Sequence, residues 1–167
     1  DQPWSRAAAY YALGSILLKR RSFAEAIAVL EKGQRLCSEY LIPGWATTTG
    51  WILGYAYALN GEPRRGAGLL EQVVRDSTAT RCNTRLSLRV AYLAEAELLD
   101  GKADRASELA GEALQLAETY GERPAEGHVR RLLGDIAWQA NADAAAASAQ
   151  YERALAIARQ HSMAPLE

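Results

Sequence analysis

The chain has 167 residues, of which 49% are apolar and 23% charged, with a formal net charge of −1. That length suits one ordinary domain, and the composition is that of a water-soluble fold. The near-neutral balance excludes a strong pull on nucleic acid or an anionic membrane surface, so neither is expected as a direct partner. No apolar run approaches the roughly 18 residues of a membrane span, and no secretory leader pattern is visible.

Punctuation residues divide the chain into eight expected helices. Pro3 suits the first turn of a helix over 3–20. The basic run Lys19-Arg20-Arg21 falls in the following turn, where a solvated loop is expected. Ser22-Phe23-Ala24-Glu25 reads as a capping box opening a helix over 23–40. A third helix is expected over 44–60, closed by Asn60-Gly61, and Pro63 opens a fourth over 63–77. A fifth is expected over 80–100, closed by Asp100-Gly101, and a sixth over 103–120, closed by Tyr120-Gly121. Pro124 opens a seventh over 124–140, and the last is expected over 144–161. No stretch alternates β-branched and polar residues in the manner of a strand.

The helices repeat in pairs. A small residue preceded by an apolar one recurs at Gly14, Gly54, Ala94 and Gly134, each 40 residues from the last. A second small residue recurs at Ala26, Gly66, Ala106 and Ala147, the last displaced by one extra residue in its turn. Leu30, Leu70 and Tyr151 follow four residues later, with Ala110 as the small exception, and Gly33, Val73, Ala113 and Ala154 come three after that. A glycine inside a helix costs about 1 kcal/mol against alanine, so recurrence at one phase implies a packing reason. The expectation is that Gly14 meets Ala26 at the crossing of two antiparallel helices, and likewise for each later pair.

These residues resemble the tetratricopeptide repeat (TPR) family, in an extended 40-residue form, over about residues 7–160. The resemblance implies an all-α, right-handed α-solenoid of about four antiparallel helix pairs, a TPR-like superhelix. One repeat domain over 1–167 is expected, with units about 7–42, 43–80, 81–121 and 122–162. The segments 130–137, 149–158 and 162–166 are similar to the repeat region of bacterial multidomain signalling ATPases, which carry a cyclase or a LuxR-type DNA-binding domain. The family's early first-helix aromatic is present as Tyr10 but replaced by Gly50, Val90 and Arg130 later, and Glu97 stands where an apolar residue is usual.

In this fold the first helices line a concave face. By phase, the binding candidates are Tyr11, Ser15 and Lys19, then Trp51, Tyr55 and Ala58, then Leu88, Ala91, Glu95 and Leu98, and last His128, Arg131, Asp135, Trp138 and Gln139. The mixture of aromatics and both charge signs suits a protein or peptide partner. Trp51, Tyr55 and Trp138 have an alternative role in packing, Trp4 and Trp45 are expected to cover chain turns, and Arg131 and Asp135 are spaced to pair with each other.

No catalytic residue is assigned and no enzyme activity is expected. The two histidines, His128 and His161, have no accompanying ligand set, and phosphate-loop, dinucleotide and nucleophile-elbow motifs are absent from the sequence. No cofactor or metal is expected. Cys37 and Cys82 read as free thiols of a reducing, cytoplasmic setting. The chain begins at Asp1, which suggests a piece of a longer protein. Apolar residues on the first and last helices suggest self-association through the repeat ends, or their cover by terminal tails. The expected role is therefore an interaction or regulatory scaffold. A small-ligand sensor of a transcriptional or cyclase-type regulator and a structural oligomerisation array stand as alternatives.

Overall fold

A computed structural model describes residues 2–80 and 84–160. Cys82, His161 and the segment 162–166 lie outside the described residues. The described residues form helices joined by tight turns, with no strand among them. They are α1 (Pro3–Lys19), α2 (Phe23–Glu39), α3 (Pro43–Leu59), α4 (Pro63–Ala79), α5 (Leu86–Leu99), α6 (Ala103–Tyr120), α7 (Arg123–Asn141) and α8 (Ala144–Gln160). The chain divides into two compact units, Asp1–Cys82 with α1 to α4 and Asn83–Glu167 with α5 to α8. In each unit, consecutive helices pack on one another, and the two first helices of the pairs also meet, α1 with α3 and α5 with α7.

The turns follow the same period as the helices. A left-handed residue occurs at Arg21, Leu41, Gly61, Gly101 and Gly121, all at 20-residue phases. Each ends its helix with a paired closure. In the first, Ser22 N–H donates to the Leu17 carbonyl and Arg21 N–H to the Leu18 carbonyl, both at 3.0 Å. The same two bonds recur after α2, α3, α5 and α6, satisfying carbonyls that a helix end otherwise leaves exposed. Ser22 makes no side-chain cap, so the capping box expected at Ser22-Glu25 does not form.

Two boundaries differ from the sequence reading. α4 runs on to Ala79, and α5 starts at Leu86, six residues later than expected. Arg85, at φ 54°, precedes α5 in the left-handed region, and its N–H donates to Glu122 Oε1 at 3.2 Å. Ser87, fully buried, donates to the other Glu122 oxygen, so the turn before α7 fixes the start of α5. The extra residue of the fourth repeat lengthens α7 to 19 residues and leaves a two-residue turn at Ala142-Asp143, where Asp143 caps Ala146 N–H at 2.9 Å.

The recurring glycines do face the second helix, and Gly54 meets Gly66 as expected, but the side chain that each glycine faces most closely lies one turn further along. A Cβ on Gly14 would overlap the Leu30 side chain, which is fully buried and has nowhere to move. On Gly54 it would lie 2.8 Å from Leu70 Cγ and 3.1 Å from the Gly66 carbonyl. On Gly134 it would lie 2.5 Å from the Tyr151 ring. The partner is thus the large residue four positions after the small one. Ala26 and Ala147 serve as buried small neighbours, while Gly66 itself meets the Gly54 carbonyl. The same register pairs Ala94 with Ala110, both fully buried. Where the first helix gains a methyl, the second has given up a large side chain.

That exchange of volume makes a coupled prediction. Ala110→Leu alone overpacks the α5–α6 seam and destabilises by about 1–3 kcal/mol. Adding Ala94→Gly recreates the Gly–Leu pair of the first two repeats and recovers at least about 1 kcal/mol of that loss. Denaturant titration of both single variants and the double variant measures the coupling; strict additivity contradicts the pairing.

Candidate functional site

Residues at i, i+3 and i+7 on a helix share one stripe. His128, Arg131 and Asp135 occupy such a stripe on α7, and Tyr92 and Glu95 lie three apart on α5. These helices pack together, and their stripes join in one network. Arg131 donates to Glu95 Oε1 at 2.9 Å and to Asp135 Oδ2. His128 Nε2 lies 3.1 Å from Glu95 Oε2. The Tyr151 hydroxyl, from α8, donates to Asp135 Oδ1 at 2.8 Å. Both oxygens of each carboxylate are thereby engaged. The Tyr92 ring meets His128 edge-on, with centroids 5.2 Å apart. Burial, and then the Asp135 carboxylate, push the Tyr151 phenol up from its ordinary pKa.

The network has a closed end and an open end. Glu95 and His128 are largely enclosed, whereas the Arg131 and Asp135 side chains are each about a quarter exposed. Arg130, next in sequence, points elsewhere. It donates to Glu118 on α6 at 3.0 Å, to Glu126 on its own helix at 3.4 Å and to Gln150 on α8 at 3.4 Å. That arginine ties three helices together, while Arg131 serves the face of α5 and α7.

The structure thus brings together four of the sequence candidates, Glu95, His128, Arg131 and Asp135. Trp138, one turn on from Asp135, stands outside the network with 57% of its surface exposed, so the packing alternative does not describe it. In the first unit the outcome differs. Trp51, Tyr55 and Ala58 are buried in α3. Tyr11 packs its ring against Trp45 at 5.8 Å, and Lys19 is exposed at the end of α1. Leu88 is half-buried, Ala91 and Leu98 are buried and Gln139 is exposed. Trp4, expected to cover a turn, is exposed.

A second polar cluster escaped the sequence reading. Tyr57 on α3 donates to Glu31 Oε1 on α2 at 2.6 Å. Arg65 on α4 lies over the Tyr57 ring, 3.8 Å from its centroid, and pairs with Glu31 at 3.2 Å and Glu62 at 3.0 Å. The three helices contribute residues 26 and 34 positions apart, so no local spacing announces them. Burial first, and then the bond to Glu31, push the Tyr57 phenol up to about 12. Cys37 is buried with a free thiol, and burial raises its pKa while the hydroxyl of Thr49 opposes the shift.

Among the described residues, no group of three metal-ligating side chains comes together, and no helix is long and apolar enough to cross a membrane. No protein-family model matches the chain and no curated protein matches it. Among solved structures, the chain is similar to the nearly identical TPR-like repeats of a protein assigned as a kinesin light chain from Podosopora anserina. That likeness has a TM-score of 0.72 at 23% identity, over 96% of this chain and 78% of that one. A single-substitution variant of those repeats aligns over 97% of this chain and 98% of that chain, at 18% identity and a TM-score of 0.42. The first likeness, with the helix pairs and their period, establishes a TPR-like repeat fold.

The raised Tyr57 pKa has a consequence for stability. A phenol at about 12 in the folded chain, against 10.0 ordinarily, contributes stability that is whole below pH 10 and is lost as pH rises towards 12. Phenolate absorbance should show a late step near pH 12 that is missing in Tyr57→Phe. A Tyr57 step at the ordinary position contradicts the buried bond to Glu31.

Proposed function

We propose that the chain is a protein-interaction module, and that the α5–α7 face around Arg131 and Asp135 receives an extended peptide or a partner helix. The TPR-like fold supports a scaffold role in general. The observation that carries the particular reading is the network of Glu95, His128, Arg131 and Asp135, closed at one end and partly open at the other. The part of the Arg131–Asp135 pair that reaches solvent is available to a charged group of a peptide without breaking the enclosed contact to Glu95. Arginine at such a place is a frequent source of interface energy.

The mutual satisfaction of the charges favours a peptide over a small ligand. A small-molecule pocket needs convergent polar groups left for the ligand, and here both Asp135 oxygens and Glu95 Oε1 already accept hydrogen bonds from within the network. On this reading the module belongs to a cytoplasmic multidomain regulator, as the likeness of 130–137 and 149–158 to bacterial signalling ATPases implies, and relays partner occupancy to attached domains.

Panning a displayed random-peptide library against the chain tests the reading. Enriched peptides should bind the wild type and lose at least tenfold in affinity on Arg131→Ala, with the helical circular dichroism retained. Absence of enrichment, or affinity unchanged in Arg131→Ala, contradicts it.

A further inference from the structure

The turns from first to second helix close alike in the first three repeats but carry different charges. Arg21 N–H donates to the Leu18 carbonyl and Ser22 N–H to the Leu17 carbonyl. Gly61 and Glu62 make the same bonds to Ala58 and Tyr57, and Gly101 and Lys102 make them to Leu98 and Glu97. The closure is made by backbone groups alone, so it needs no particular side chain at position 21. It does need a left-handed residue. Arg21, at φ 62°, takes the conformation that Gly61 and Gly101 hold at φ 89° and 82°. Glycine adopts it freely, whereas a side chain there crowds the backbone. Folding alone favours glycine at 21, and arginine stands there against that preference.

The charges of these turns also differ in their partners. In the second repeat Arg65 pairs with Glu62 at 3.0 Å and with Glu31 at 3.2 Å. In the third, Lys102 pairs with Glu97 at 2.8 Å and with Asp100 at 2.9 Å. In the first, Lys19, Arg20 and Arg21 are consecutive and all exposed, and none of them forms an ion pair with a described residue. Asn60, Gly61, Leu99 and Gly101, at the same phases, are exposed too. The exposure therefore belongs to the turn in each repeat and not to the place of this turn in the chain. The negative end of α1 accounts for a cation at Lys19. It does not account for three in succession, which repel one another.

We propose that the α1–α2 turn is a second binding surface, and that Lys19, Arg20 and Arg21 receive a short acidic segment of a partner protein. The three residues lie within about 8 Å along the chain, the reach of two or three carboxylates on an extended segment. Bound carboxylates relieve the repulsion inside the run. The exposed Glu25, four residues on, ends the positive stretch. That limit favours a short acidic segment over a nucleic-acid backbone or an anionic bilayer, whose charge continues past the turn. The surface uses none of the residues of the Arg131–Asp135 face, so either reading can fail alone.

The test is fluorescence anisotropy of a labelled hexaglutamate peptide at low salt, where exposed charges are least screened. A DNA duplex and phosphatidylserine vesicles serve as the alternative anions. One double variant joins Arg20→Ala to Arg21→Gly in the turn. The other joins Lys32→Ala to Arg35→Ala, removing two exposed cations elsewhere on α2. The wild type should bind the peptide, the turn variant should lose about tenfold in affinity, and the α2 variant less than about twofold. Denaturant titration of Arg21→Gly gives a second readout. Its midpoint should rise, whereas a structural role for the arginine lowers it. The proposal is overturned by absence of binding, by equal losses in the two double variants, by DNA or vesicle binding that the turn variant also abolishes, or by a lowered midpoint.

Discussion

A residue with no side chain on one helix, facing a large side chain on the next, sets how three of the antiparallel pairs close. Gly14 faces Leu30, Gly54 faces Leu70 and Gly134 faces Tyr151. A mid-helix glycine sacrifices about 1 kcal/mol of helix propensity, so the arrangement persists only if the interlocked side chain contributes more. In the third repeat the corresponding positions hold Ala94 and Ala110, both fully buried, so that seam is closed by two small side chains.

Once the pairs are locked in this way, the remaining faces of the helices are free to specialise. In the first unit the first-helix face fills with Trp51 and Tyr55, and the polar groups gather at Tyr57, Glu31 and Arg65. In the second unit the equivalent positions hold Ala91 and Glu95 in α5 and the charged pair Arg131 and Asp135 in α7. Asp135 stands exactly one period after Glu95, so adjacent first helices bring two carboxylates side by side. Arg131 bridges them, which turns a like-charge pair into a satisfied network.

Much of the fold was legible in the sequence because period and punctuation are local. Seven of the helices begin and end within two residues of the positions set by proline, glycine and the 40-residue phase. The exception is α5, where no glycine or proline marks the boundary and Arg85 takes the left-handed turn conformation unaided. Phase also left the partner of Gly14 one turn in error, since spacing shows that two helices meet but not which side chain fills the gap. Of the candidate site, Glu95, His128, Arg131 and Asp135 were found because they share a face and a period. Tyr151 was read only as part of an apolar stripe, since nothing local shows that its hydroxyl reaches Asp135. Trp51 and Trp138 could not be told apart in the sequence, although one is buried and the other exposed.

The most direct test is the stability of Gly→Ala variants at five helical glycines, measured by denaturant titration. Gly68 and Gly111 have open space around them. Alanine there should stabilise by up to about 1 kcal/mol through helix propensity alone. At Gly14, Gly54 and Gly134 the same substitution meets Leu30, Leu70 and Tyr151, and should instead destabilise by about 1–3 kcal/mol. If all five variants gain stability alike, the glycines do not set the closure of the helix pairs and the account of the fold fails.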